Sequence, residues 1–315
     1  MTQASSESAV EARDVAWSYG DRRALDGVSF TVPAGGVHGF LGPNGSGKST
    51  LFKLLATILP LREGAATMFG VDLARDAARV RDLLGVVFQS PALDRKLSVR
   101  RNLRYGGHLY GLGGAELERR IDEVLEIGGL ADRAGDVVGE LSGGLRRRAE
   151  IAKALLHRPR MLLLDEPSTG LDPAARLELW RFLRSQEGLT VLFTTHLMDE
   201  ADDAERLTIL DGGKVVAAGT PAELRAEIGG DVLEIQAAEP DALAADLAPV
   251  VGSTPRVVDG VIRVEGADAH ALVAPIADGF RDRYARLSIG RPSLEDVFIA
   301  RTGHRLDASH EEATR

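Results

Sequence analysis

The stretch Gly42-Pro43-Asn44-Gly45-Ser46-Gly47-Lys48-Ser49-Thr50 constrains this chain more than any other. It fits G-x-x-x-x-G-K-(S/T) between an apolar strand, Val37–Leu41, and a helical run, Leu51–Ile58. Glycines let successive backbone N–H groups curl around an anion at a helix N-terminus, where the peptide dipoles also favour negative charge. Lys48 is placed to reach the β- and γ-phosphates of a nucleotide, and the Ser49 hydroxyl to ligate Mg²⁺. A glycine-rich turn that only caps a helix is the weaker reading, because the full spacing and the strand–loop–helix context are both present.

A second buried strand, Met161-Leu162-Leu163-Leu164, runs into Asp165-Glu166-Pro167. Open α/β sheets put their ligand sites at such strand ends. Adjacent residues on a strand point to opposite sides, so the two acids can take different roles. Asp165 would hold Mg²⁺ through water, and Glu166 would orient or deprotonate the attacking water. A pair of solvated acids in a surface turn is the competing reading, weakened by the phosphate loop in the same chain.

From Glu11 to about Ile228, short β-branched runs alternate with longer helical patterns, the signature of an α/β layered domain. Thr190–Thr195 is a third buried strand. Leu207–Leu210 and Lys214–Ala218 flank Asp211-Gly212-Gly213, the composition of a tight hairpin turn. Thr220-Pro221-Ala222-Glu223 then opens a helix, with Thr220 as N-cap and Glu223 closing a capping box. After Gly229-Gly230 the rhythm changes. Strands over Val232–Gln236, Arg256–Val258, Val261–Val264 and Ala285–Ile289 alternate with helices over Asp241–Leu247 and Ala267–Asp278. That βαββαβ order predicts a small α+β ferredoxin-like sandwich. The expected organisation is a nucleotide-binding domain over 11–228, an accessory domain over 231–302 and a frayed polar tail over 303–315.

Hydrophobic residues make up 44% and charged residues 27% of the 315, a composition that folds. No run approaches the ~18 apolar residues of a membrane helix. Met1–Arg13 lacks the basic start and apolar block of a secretory signal, so the chain is expected in the cytoplasm. Without cysteine there are no disulfides, thiolate metal sites or cysteine nucleophiles. The net charge of −9 argues against a nucleic-acid partner. The basic run Arg146–Arg148 is read as a solvated helix face or an intrachain charge partner.

A phosphate loop alone fits a GTPase, a kinase, a helicase or a transporter motor. Leu141-Ser142-Gly143-Gly144-Leu145, ahead of the acidic strand, resembles the signature sequence of ABC ATPases. That family's other elements are matched in order by Tyr19, by Gln89 after Val86-Val87-Phe88, by Ser168-Thr169-Gly170-Leu171-Asp172, and by His196 after Thr194-Thr195. The resemblance implies a P-loop NTPase of the ABC nucleotide-binding type, with a helical subdomain carrying the signature and ATP as the nucleotide. It implies that Tyr19 stacks on adenine, Gln89 touches Mg²⁺ and the attacking water, His196 contacts the γ-phosphate and Asp172 links subunits. Ser142, with the N–H groups of Gly143 and Gly144, would bind the γ-phosphate held on another subunit's loop, so hydrolysis would need a homodimer. Two positions depart from the pattern. Leu145 replaces a glutamine that gives a polar contact near the ribose, and Arg101, before Asn102-Leu103, replaces an acid.

The stretch Pro292-Ser293-Leu294-Glu295-Asp296-Val297-Phe298-Ile299-Ala300-Arg301-Thr302-Gly303, together with Arg146–Arg148, is similar to the daunorubicin-resistance type of ABC exporter ATPase. This resemblance implies homodimers on a separate integral-membrane permease, peripheral on the inner face of the cell membrane, exporting drugs or other hydrophobic compounds. The rival class is a soluble ABC ATPase acting on ribosomes or DNA. Such proteins generally carry two cassettes, or a long coiled coil between phosphate loop and signature; here one cassette is present, and Lys48 to Ser142 holds no sustained heptad run. A GTPase reading lacks a lysine followed two positions later by aspartate to read guanine.

Overall fold

The computed structural model describes residues 7–252 and 254–306. The chain opens with a hairpin of β1 (Ser8–Tyr19) and β2 (Arg22–Pro33), followed by β3 (Val37–Leu41) and α1 (Lys48–Leu55). Next come β4 (Glu63–Met68), β5 (Val71–Asp72), α2 (Ala77–Asp82) and β6 (Leu84–Val87). A helical block follows, of α3 (Val99–Leu109), α4 (Gly114–Ile127) and α5 (Gly143–Ala154). The chain returns through β7 (Met161–Asp165), α6 (Pro173–Arg184), β8 (Thr190–Thr195) and α7 (Met198–Asp202) to the hairpin β9 (Arg206–Asp211) and β10 (Lys214–Gly219), then α8 (Pro221–Ala226). The remainder is β11 (Asp231–Gln236), α9 (Pro240–Val251), β12 (Arg256–Val258), β13 (Val261–Gly266), α10 (Ala269–Gly279), β14 (Arg286–Gly290) and α11 (Leu294–Thr302).

The central sheet has strand order β10-β9-β3-β8-β7-β6 and is parallel except for the β9–β10 hairpin. β3, β7 and β8 are buried along their whole length, as strands covered on both faces must be. The two-residue alternation sorts their side chains. Met161 and Leu163 join Phe40, Phe52 and Leu192 beneath an antiparallel sheet of order β2-β1-β4-β5, whereas Leu162 and Leu164 join Phe193 and Trp180 beneath the helices. Trp180 meets Phe193 edge-on at 4.5 Å, and Phe40 meets Phe52 at 5.7 Å.

In the helical block, Leu117, Ile121, Val124 and Leu125 form the single apolar face of α4. Arg120, buried on the same helix, donates to Leu156 O at 2.9 Å and Leu155 O at 2.7 Å just past the end of α5, where the Leu155 carbonyl also accepts the Arg158 N–H at 3.1 Å. The hairpin turn and the Thr220 capping box form where the sequence predicts them.

The C-terminal sheet is wholly antiparallel, in order β12-β13-β11-β14, and α9 and α10 close over Leu233, Ile235, Ile262 and Val264. α9 outruns its expected end at Leu247 and continues to Val251, although Pro249 in its last turn has no N–H to give to the carbonyl four residues back. The packing does not divide where the sequence rhythm changes. α11 sends Leu294, Val297 and Phe298 into the core of the helical side, beside Leu224 and Ala217. Its outer side is held by the C-terminal sheet, through Arg256 to the carbonyls of Ile299 and Ala300 and through Arg263 to Asp296.

Residues 303–306, expected to begin a frayed tail, are packed: Leu306 is buried, and the His304 ring lies edge-on to Phe298 and 3.2 Å from Asp211 Oδ2. The rest of the expected tail lies outside the described residues. Burial works against a charged His304, but its contacts with the Arg305 carbonyl and with Asp211 outweigh it and raise its pKa. A raised folded-state pKa means stabilisation that is full below the ordinary value of about 6.5 and fades as pH rises through the folded value. The gap in melting temperature between the parent and His304→Gln should therefore be widest near about pH 5.5 and shrink by about pH 8.5. Melts at both pH values test this, and a constant gap would rule the contact out.

Candidate functional site

Three neighbouring parallel strands end side by side and deliver the chemistry. Leu41 pairs with Thr195 and Asp165 with Thr194, so Gly42, Glu166 and His196 emerge from one edge of the sheet. β6 pairs with β7 through Val87 and Leu164, which brings Gln89 to the same edge.

Gly47 is the N-cap of α1, with φ 103° and no side-chain cap, so the first-turn N–H groups face outward without intrahelical partners. A Cβ at Gly42 would stand 2.2 Å from Leu210 O, and one at Gly47 2.6 Å from Ala24 O. Only glycine fits this cradle. Lys48 is 4% exposed, and its Nζ donates to Gly42 O at 2.7 Å and Pro43 O at 2.9 Å. Burial lowers its pKa, opposed by the charges of Glu166 and Asp165. Ser46 contributes a buried hydroxyl with no hydrogen-bond partner among the described residues. With Tyr19, Arg22, Asn44, Gly45, Ser49, Thr50 and Glu166, the loop lines a cleft of about 180 Å³.

Ser49 Oγ donates to Asp165 Oδ1 at 3.2 Å, and Thr194 Oγ1 donates to the same oxygen at 2.5 Å. Two hard oxygens so close are the kind of donors Mg²⁺ takes beside substrate phosphates. Glu166 has φ 47°, a conformation that non-glycine residues seldom adopt, and its N–H donates to Thr194 Oγ1 at 2.9 Å. Its carboxylate receives Gln89 Nε2 at 3.3 Å and Thr169 Oγ1 at 3.2 Å, and lies 3.3 Å from His196 Nδ1. Behind His196, Thr195 donates to the buried Glu200 at 2.5 Å, and burial raises the Glu200 pKa.

The structure thus brings together Gly42 to Thr50, Tyr19, Gln89, Asp165, Glu166 and His196. It does not bring Ser142 or Gly144 to this cleft. Ser142 caps α5, accepting the Leu145 N–H at 3.3 Å, and Gly143 lines a second cleft of about 200 Å³ with Gln89, Glu166 and Gly170. Asp172 caps α6, accepting from the N–H groups of Ala174 and Ala175 at 3.0 Å each. Sequence reasoning missed Thr194, Thr169 and Arg22. It left open whether Arg146–Arg148 is solvated or internally paired; Arg147 is buried against Glu150, an i,i+3 spacing that was there to be read, and Arg148 pairs with Glu178.

A phosphate loop before the first helix of a parallel sheet, an acid pair on the neighbouring strand end but one, and a serine-capped helix that opens on Gly143-Gly144 beyond the cleft define a P-loop ATPase of the cassette class. The family model for ABC transporter matches residues 25–169. The daunorubicin resistance ATP-binding protein DrrA2 of Streptomyces coeruleorubidus is 40% identical over 314 residues, covering 95% of this chain and 96% of that protein. The Nod factor export ATP-binding protein I of Sinorhizobium fredii is 38% identical, covering 97% of this chain and 89% of that one. Among solved structures, cbiO1 of Clostridium perfringens, part of the ABC transporter complex cbiONQ, superposes with a TM-score of 0.65 at 27% identity, over 78% of this chain and 98% of that one. The chain belongs to the ABC transporter ATP-binding proteins, in the family of the daunorubicin resistance ATPases.

Proposed function

We propose that this ATPase drives a separate integral-membrane permease that exports drugs or other hydrophobic compounds, and that two copies close on ATP to do so. The observation that carries the reading is the convergence of Gln89, Thr169 and His196 on Glu166 at the lip of the phosphate cleft, while the signature glycines stand outside it. Helix N-termini of that kind bind phosphate, so a second copy's Ser142, Gly143 and Gly144 would complete the site.

In this reading Lys48 leaves the Gly42 and Pro43 carbonyls for the β- and γ-phosphates, and Tyr19 stacks on the adenine. When bound, Mg²⁺ supplies neutralising charge on the phosphate oxygens, held by Ser49, Gln89 and, through water, Asp165. Glu166 takes the proton of the attacking water, and His196 contacts the γ-phosphate. Asp172 would lie near the partner copy.

Among the described residues no helix is long and apolar enough to cross a membrane, so the bilayer path is assigned to the permease, with this subunit peripheral on the inner face of the cell membrane. Names among the relatives support export, as daunorubicin resistance and Nod factor export proteins. No nucleic-acid partner is assigned, given the net charge of −9. Purification of the tagged chain from detergent-solubilised membranes should recover an integral-membrane protein that raises its ATPase rate. Recovery with ribosomes or DNA instead would overturn the proposal.

A further inference from the structure

Arg147 lies on the first turns of α5, just past the signature glycines, yet it is 8% exposed. Its Nε donates to Pro167 O at 2.9 Å, its Nη1 to Phe88 O at 2.9 Å and to Glu150 Oε2 at 2.8 Å, and its Nη2 to Asp165 O at 3.2 Å. A buried guanidinium persists only where its charge is paired and its donors are used, and both conditions hold here. Its acceptors belong to two separate pieces of the catalytic edge. Phe88 immediately precedes Gln89, and Asp165 to Pro167 is the turn that holds Glu166 at φ 47°. Glu150, the charge partner, also accepts the Ala92 N–H at 3.3 Å, on the far side of Gln89. One ion pair on one helix therefore staples both segments that aim groups at the attacking water. Lysine, a point charge without a planar fork, cannot span these acceptors.

We propose that Arg147 is a positioning residue for hydrolysis: it sets the backbone of Glu166 and Gln89 relative to the signature helix, so that engagement of Ser142 to Gly144 across a closed pair of subunits reaches the base. The proposal rests on Glu166 being that base. A residue that only holds the fold together would alter melting temperature and leave turnover of the folded protein alone. A positioning residue lowers kcat with ATP affinity unchanged, and its effect disappears once the group it positions is gone.

The test compares Arg147→Lys, Glu166→Gln and the double variant by single-turnover hydrolysis and by equilibrium ATP binding. Arg147→Lys should bind ATP within about twofold of the parent and lose roughly 10- to 100-fold in rate. Little further loss should follow when it is added to Glu166→Gln. Full turnover in folded Arg147→Lys, with Glu166→Gln inactive, overturns the proposal alone, as does an equal fold-loss in both backgrounds. Full turnover in Glu166→Gln overturns the base assignment and this proposal with it. Should Arg147→Lys melt below the assay temperature, Glu150→Gln, which keeps the fork and removes its charge partner, is read in the same way.

Discussion

Glu166→Gln is expected to bind Mg-ATP like the parent and to hydrolyse it roughly 10²- to 10⁴-fold more slowly. The amide has the shape of the carboxylate but cannot take a proton from water. The side chains proposed to hold phosphate and metal do not rest on the changed one: Lys48 donates to the Gly42 and Pro43 carbonyls and Ser49 to Asp165. Undischarged ATP would then bridge one subunit's loop and the other's Ser142-Gly143-Gly144, and mass action should collect the closed pair. Size-exclusion chromatography with Mg-ATP should show that dimer. Adding Ser142→Arg should dissolve it, because the serine hydroxyl sits at the exposed cap of α5, where a long cation would crowd the facing phosphate. Near-parent turnover in Glu166→Gln sinks the base assignment, whereas a dimer that survives Ser142→Arg sinks the signature contact.

Phe298→Ala is expected to cost about 3–5 kcal/mol, the range for deleting a fully enclosed aromatic ring. Phe298 is fully buried in the core of the helical side, on a helix the C-terminal sheet grips from its other side. The cavity would therefore open where the two parts meet, and the rigid sheet can do little to fill it. Thermal unfolding should move down by about 4–8 °C. A shift below about 2 °C would show that α11 is not the structural bridge described. A chain stopped after Gly229 loses Leu294, Val297, Phe298 and Leu306 together from that core.

The parts of the molecule legible in the sequence are those whose cause is local. The glycine and lysine spacing of the phosphate loop, the apolar runs of β3, β7 and β8, the Asp211 turn and the Thr220 box each depend on residues a few positions apart. The strand-helix order of the C-terminal part was readable for the same reason. What was not legible depends on pairing across the chain. Thr194 reads as one more β-branched strand residue until β8 lies beside β7 and its hydroxyl falls against Asp165 and the Glu166 N–H. Thr169 needs the turn after Pro167, and Arg147 needs the end of β6, before their partners exist. α11 hides for another reason. Val297 and Phe298 face one core and Asp296 meets the C-terminal sheet, so burial on more than one side erases the polar face that marks a surface helix.

The turn after β9 gathers three distant parts of the chain. Gly213 gives its N–H to Ser46 O at 3.1 Å and accepts the Asp26 N–H at 2.9 Å, while its neighbour Asp211 meets His304. A Cβ on Gly213 would stand 2.8 Å from Ala24 O, so the turn has no room to carry a side chain there. The phosphate loop is thus not a loose strap between β3 and α1 but one side of a closed frame. Its curvature is set by covalently remote neighbours before any anion arrives. Less conformational freedom is then left to surrender on binding, and more of the attraction between backbone N–H groups and phosphate survives as affinity.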